Sequence, residues 1–371
     1  MLTLYDENDF HAFSCQPENA FHQIVKTLIH HDSTELVSNV ETKIIALAHE
    51  ENIWPISINC TEYRNALICS PYTTYVTYPL GELKQFSKRW IKLAILLNSA
   101  IMFVICRSTR FNQIAQINNN LNSLLKHSRQ FITFLPQLTQ KMIHRFPHHA
   151  VTFFRVNDSL DAELKQSLIE NGYWVFPDRQ VHLFYPGKRV MQRSHTKRDM
   201  ALLRNSPYTV VTHDDLTIED AKRIAELYRM LFIDKHSTLN PIYTSDYFKN
   251  AIEQRWHEYV ALRNPEGKID GFISWFKSEN IMMCGPLGYD LERDKKSGMY
   301  RQLVAMCLKH ANENDCIFNM GGGSDAFKSN RGSTKTVEYT AVYCKHLSWY
   351  RQIPWKIMHW VFHRFLKKIF A

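Results

Sequence analysis

The chain has 371 residues, 45% of them apolar, and carries 45 Lys and Arg against 36 Asp and Glu, a net charge of +9. That composition excludes a disordered chain, and the length favours two domains with full cores over one. The positive charge suits an anionic partner such as a nucleotide, a tRNA, an acidic carrier protein or a membrane surface, and selects none of them; a mildly basic soluble enzyme has the same signature.

Eight cysteines occur and none form a CxxC pair; most sit in apolar runs, where a thiol acts as a small core residue. With no secretory leader at the N-terminus, a reduced, cytoplasmic protein is expected. The eighteen histidines include no HExxH, and His359 and His363 lack a third nearby ligand, so no metal is expected. Residues 93–106 are uncharged but number 14, short of the roughly 20 a membrane span needs.

In chain order, a helix is expected over 20–31 and strands over 43–48, 53–59 and 63–70. Helix is expected over 83–98, a strand over 101–106, and helix over 112–126 and 138–145. A strand at 150–156, a helix at 161–170 stopped by Asn171-Gly172, and a strand at 180–184 follow. Pro186-Gly187 and the basic stretch 188–198 set a domain boundary, giving domains 1–187 and 188–350 and a basic tail 351–371. The second half predicts a strand at 208–212 and a helix opened by a capping box at Thr217 and Asp220. A helix at 245–256, strands at 258–263, 268–276 and 280–284, and a helix at 297–313 complete it.

Residues 46–71 align without gaps on 261–286, with seven identities in 26 positions. Both copies read as strand, turn, strand, turn, strand, then helix, which points to a duplicated domain.

The most distinctive stretch is Met320-Gly321-Gly322-Gly323-Ser324-Asp325-Ala326-Phe327-Lys328-Ser329-Asn330-Arg331-Gly332. Apolar Cys316-Ile317-Phe318-Asn319 precedes it, and the β-branched and aromatic run 336–343 follows. It predicts a strand, a glycine turn, a short helix capped by Ser324 or Asp325 and ended by Gly332, and a second strand. Amides at such a turn suit an anion or an oxyanion, and Lys328 and Arg331 add charge. A phosphate-loop NTPase is disfavoured, because Phe327 stands where the second glycine belongs. The turn can also be purely structural, with Lys328 solvated.

The order of elements and the stretch Phe327-Lys328…Gly332…Glu338-Tyr339 resemble the GNAT acyltransferases, and within them the tandem-domain Fem-type aminoacyl transferases. The likeness covers residues 188–345 well and the N-terminal half through its meander alone. It implies an α/β fold of two tandem GNAT-like domains, each a mixed, mainly antiparallel twisted sheet flanked by helices. The implied activity is transfer of an acyl or aminoacyl group to an amine, forming an amide. The donor is an acyl-CoA or another activated acyl group, such as an acylated carrier protein or aminoacyl-tRNA; the acceptor is a small-molecule or peptide amine. A non-catalytic module on a decayed transferase, recruiting an anionic partner, is the competing reading.

The resemblance implies Lys328, Glu338 and Tyr243 as catalytic candidates, with Glu338 the nearest carboxylate for a base; it can equally be an outward strand residue. Ser297, Gly298, Met299, Asn319, Gly321, Gly322, Gly323, Ser324 and Arg331 are donor candidates, and His236, Asn240 and Tyr339 acceptor candidates. The acyl-CoA loop of the family departs here to Lys295-Lys296-Ser297-Gly298-Met299-Tyr300, with Lys and Tyr at positions that elsewhere hold Arg or Gln and a small residue. In the tail, Trp355, Met358, Val361, Phe362, Phe365 and Ile369 share a helical face, with Lys356, His363, Arg364, Lys367 and Lys368 mainly outside it. Such a helix either lies on a membrane, as a peripheral contact of a cytoplasmic protein, or packs on its own domain.

Overall fold

A computed structural model describes residues 2–13, 20–81 and 89–366. Its strands are β1 (Leu2–Tyr5), β2 (Lys43–His49), β3 (Asn52–Asn59), β4 (Ile114–Ile117), β5 (Ala150–Asn157), β6 (Trp174–Phe184), β7 (Thr209–Thr212), β8 (Glu258–Arg263), β9 (Ile269–Ser278), β10 (Ile281–Tyr289), β11 (Ile317–Asn319) and β12 (Thr334–Tyr343). The principal helices are α1 (Ala20–His30), α2 (Arg89–Ser108), α3 (Phe131–Arg145), α4 (Ala162–Glu170), α5 (Ser194–Arg204), α6 (Asp220–Arg229), α7 (Ser245–Glu253), α8 (Met299–Glu313), α9 (Asp325–Asn330) and α10 (Trp349–Val361).

The chain divides into two units: Met1–Asp178 with Ser237–Ile242 and Glu338–Ala371, and Arg179–His236 with Tyr243–Val337. The division at Asp178 falls inside β6, ahead of the basic stretch where sequence reading placed it. The division at Glu338 falls inside β12 and gives the tail to the first unit.

In the first unit the order is β1-β2-β3-β4-β5-β12. Neighbours are antiparallel except β4 and β5, which run parallel with Gln116 beside Thr152. In the second the order is β7-β8-β9-β10-β11-β6, again antiparallel except for the fifth strand, β11, parallel to β10. Each unit is thus an open, mainly antiparallel sheet with one parallel step bridged by a helix, α3 between β4 and β5 and α8 between β10 and β11.

Alternation along β5 shows how the first unit fills. Val151 and Phe153 enter a core with Phe131, Leu135 and Leu138 of α3 and Leu164 and Leu168 of α4. Ala150 and Phe154 enter another with Met102 and Cys106 of α2 and Trp355 and Met358 of α10. This period of two covers both faces of the sheet with helices. In the second unit Leu303, Met306 and Cys307 of α8 pack on Leu262, Ile273, Met282 and Phe318. On β10 the backbone of α6 comes so close that a Cβ on Gly288 would lie 2.5 Å from Leu227 C and Tyr228 N. Only glycine permits that approach.

Three expected elements are replaced. Residues 63–70 form turns in place of a strand, fixed by Asn65, whose side chain bonds Glu41 N and O. The strand expected at 101–106 is the end of α2. Its β-branched residues suggested a strand, yet Met102 and Cys106 are buried while Ile101 and Val104 are exposed, a helical spacing. The helix expected at 112–126 is β4 and a loop. Asn118 bonds Lys126 O and Asn119 accepts from Leu121 N, local bonds that compete with a helix. The hairpins 43–59 and 258–278 correspond as the alignment placed them, but the strand matching β10 in pairing order is β4, well downstream of 63–70. Residues 83–88 of the predicted helix, and Lys367, Lys368 and Ile369 of the tail, lie outside the described residues. The tail helix turns Trp355 and Met358 into the core and leaves Phe362 half-buried against it, so the face offered as a membrane contact packs inward. No described helix is long and apolar enough to cross a membrane.

Candidate active site

In the second unit β10 and β11 stay paired for three positions, Ile281–Ile317, Met282–Phe318 and Met283–Asn319. Then they part. β10 runs on to Tyr289, with a bulge between Cys284 and Leu287, while the other strand ends in the glycine turn. Carboxyl ends of sheet strands beside such an opening are where open α/β folds place ligands. The turn follows the expected strand, turn, helix, strand order, with Gly321, Gly323 and Ser324 at positive φ and Gly332 closing α9 at φ +92°. Asn319, fully buried, accepts from Gly321 N. Gly322, Gly323 and Ser324 are exposed. Ser324 sits at the N-cap without a cap bond, and α9 has six residues, so its dipole adds little.

Lys328 is the centre of this arrangement, and it is not solvated: 2% of it is exposed. Its Nζ donates to Gly321 O at 2.9 Å and Gly322 O at 2.6 Å. Burial lowers its pKa to about 8, with the Cys284 sulfur near enough to oppose that shift. The Cys284 thiol is pushed up to about 11 by burial, so it stays protonated at neutral pH. Tyr300 is raised well above the ordinary phenol range by burial, near Cys284 and bonded to Ser324, and its ring lies 4.8 Å from that of Phe327. An ammonium and a phenol, both proton donors, thus face the bulged strand.

Behind the turn, His182 of β6 exchanges backbone bonds with Met320 and Gly321. Its ring joins Ser333 Oγ at 2.9 Å and Asp325 Oδ1 at 3.3 Å, and Asp325 also accepts from Lys335 at 2.6 Å. Arg331 is 3% exposed and committed to Asp199 of α5 at 2.5 Å and to Phe327 O. Asp199 also holds Arg301 of α8 at 2.7 Å, tying three helices at the site. Sequence reading missed His182, Asp199, Cys284 and Tyr300. Their one signal was an isolated polar residue in an apolar or helical pattern, a pattern shared by residues with no site role.

The loop at 295–300 makes a single turn ending at Gly298, φ +59°, from which α8 starts. Ser297 O accepts from Gln302, the Met299 side chain lies in the core, and a Cβ on Gly298 would lie 2.6 Å from the Leu202 side chain, so this loop packs against the core and α5. Tyr243 is buried, its ring 4.3 Å from Tyr247 and 5.0 Å from Tyr228. His236 is exposed, its ring 6.2 Å from Phe232. The structure therefore brings together Lys328, Asn319, Gly321–Ser324 and Arg331 in one unit.

Glu338, Tyr339 and Asn240 belong to the first unit. Glu338 is fully buried and, with Asp178, holds Arg155 protonated, while Arg155 bonds Asp178 directly. Tyr339 is half-buried with Lys165 Nζ 4.6 Å over its ring. Asn240 O accepts from Asn39 at 2.8 Å. No cluster of three or more metal-ligating side chains occurs among the described residues.

No protein-family model matches the sequence, and no curated protein matches it. Among solved structures, FemX superposes with a TM-score of 0.52 at 10% identity, covering 97% of this chain and 100% of FemX. The L-PGS structure from Bacillus licheniformis gives 0.46 at 15% identity over 62% of this chain and 79% of that one. A probable N-acyltransferase from Enterococcus faecalis V583 gives 0.35 at 9% identity over 94% and 73%. Identities this low speak to fold alone, and the end-to-end match to FemX carries that statement. Two units with the same order of pairings, a parallel step that opens beside a glycine turn, and that match give the conclusion: the chain has the fold of FemX, a mixed α/β fold of mainly antiparallel sheet flanked by helices.

Proposed function

We propose that the protein moves an acyl or aminoacyl group from an activated donor to an amine, forming an amide. The donor class is an acyl-CoA, an acylated carrier protein or an aminoacyl-tRNA. The amine nitrogen attacks the donor carbonyl, the C–N bond forms and charge gathers on the carbonyl oxygen; the C–S or C–O bond then breaks, and the proton lost by the nitrogen passes to the departing thiolate or alkoxide, with Tyr300 as its relay. The observation that supports this reading is the buried Lys328 ammonium at the parting of β10 and β11. A cation fixed in a poorly solvated place is suited to a developing oxyanion or a donor phosphate. Tyr300, held protonated by burial, is assigned the relay of that proton to the leaving group. Glu338 keeps company with Arg155, and the proposal gives it no proton to move.

Incubation with each donor class and an amine library, read by mass spectrometry, tests it. An amide formed with one donor and lost in Lys328→Met is the expected result. Donor binding without turnover would overturn the proposal in favour of a binding module.

A further inference from the structure

The first unit carries an apolar surface independent of the site above. α10 meets the C-terminal end of α2: Arg351, at the start of α10, donates to Thr109 O and Arg110 O just past the end of α2. Both helices bury one face in the same core, α2 through Met102 and Cys106 and α10 through Trp355 and Met358. Each helix turns its opposite face outward, away from that core.

At about 100° per residue, Leu93, Ala100 and Val104 line the outer side of α2, flanked by Leu96, Ile101 and Phe103. Val104 is 64% exposed and Ile101 60%. Trp349, Lys356 and Trp360 line the outer side of α10, with Trp349 73% and Trp360 61% exposed. Isolated apolar residues on a surface are ordinary, but a contiguous helical face of them marks a binding surface.

Charge identifies the occupant. Residues 89–112 and 347–366 contain no Asp or Glu, and Arg107, Arg110, Lys356 and Arg364 are exposed there. A second copy of the chain would set this basic face against its own image, which repels. An anionic headgroup layer complements it, and tryptophans beside Lys and Arg are the residues that settle at a bilayer interface. We propose that the outer face of α2 and α10 docks the protein on an anionic lipid surface, the helices lying in the plane of the interface. This face is distinct from the inward-packed one that the tail sequence suggested.

Co-sedimentation of the full chain with vesicles tests the proposal. Vesicles of equal parts phosphatidylglycerol and phosphatidylcholine should bind the wild type at low salt, and pure phosphatidylcholine vesicles should bind it much more weakly. Ile101→Glu with Val104→Glu should weaken binding by about tenfold or more, because two buried apolar contacts become charges facing anionic lipid. Circular dichroism should not change, since both side chains point to water in the folded protein. Trp360→Ala and Lys356→Glu, on the other helix, should each weaken binding severalfold and serve if the first variant misfolds. Wild type that ignores anionic vesicles, or variants that bind them as wild type does, overturn the proposal. A concentration-dependent dimer abolished by the same substitutions overturns it in favour of self-association.

Discussion

Substituting Lys328 by Met asks whether a cation is held at the parting of β10 and β11 against its preference for water. The folded pKa of about 8 lies well below the ordinary lysine value of 10.5. At about 1.36 kcal/mol per unit, burial of the charged form costs on the order of 3 kcal/mol. Below pH 8 both folded and unfolded chains hold the proton, and the cost is present in full. Between about 8 and 10.5 the folded chain has released it and the unfolded chain has not, so wild-type stability rises with pH. Loss of the bonds to Gly321 O and Gly322 O in the variant adds an offset that does not vary with pH. The Cys284 thiol titrates near 11, above the window. Urea unfolding of both proteins from pH 7 to 10.5 should show the wild type gaining on Lys328→Met by about 3 kcal/mol across that window. A flat difference would mean an ordinary, solvated lysine and would refute the reasoning. In the transferase assay, wild-type kcat/KM should fall as pH rises through about 8, because the charged form does the work. The Met variant should lose roughly 10²–10³-fold in rate and show no such limb. A loss confined to donor KM would assign the lysine to phosphate anchoring instead.

Two other substitutions test the supports of the fold. Asp199→Ala strands Arg331, which is 3% exposed, and frees Arg301; breaking a buried pair in this way should cost about 3–5 kcal/mol by urea unfolding, and a change below about 1 kcal/mol would contradict the assignment. His257 is fully buried against Tyr247 and pushed down to about 3, so its neutral form stabilises the fold above the ordinary histidine range and that stability is lost as pH falls from about 6.5 toward 3; His257→Gln should flatten the difference in stability between pH 7 and pH 4 by on the order of 3 kcal/mol.

The glycine turn could be read from sequence because its signals are local. Three adjacent glycines, a short polar helix and a closing Gly332 leave few other conformations. The hairpins at 43–59 and 258–278 were equally legible, since period-two patterns and tight turns need only near neighbours. Lys328 was found by motif, but its burial was not, because a lysine on a short helix next to exposed Ser324 and Asp325 has the pattern of a solvated one. What encloses it, Cys284 and the turn carbonyls, is brought there by β10 and by the turn itself. The 101–106 run failed for a similar reason: Ile101, Val104 and Ile105 are strand formers by propensity, and the helix that begins upstream overrode them. Glu338 was read as a candidate base beside the lysine in sequence; ten residues of chain carry it into the other unit, where Arg155 claims it.

The sixth strand of the first unit has a consequence for how the protein can be made. Glu338–Tyr343 pairs with β5 from Asn157 back to Val151, yet those two segments leave the ribosome some 180 residues apart. Until Glu338–Tyr343 has been synthesised, β5 presents a row of unpaired amides and carbonyls on that side, the kind of edge that recruits foreign strands. A gene truncated at residue 187 would encode that unfinished sheet permanently. Its product is expected to aggregate rather than fold, and co-expression of a fragment containing residues 334–371 is the natural way to attempt its rescue.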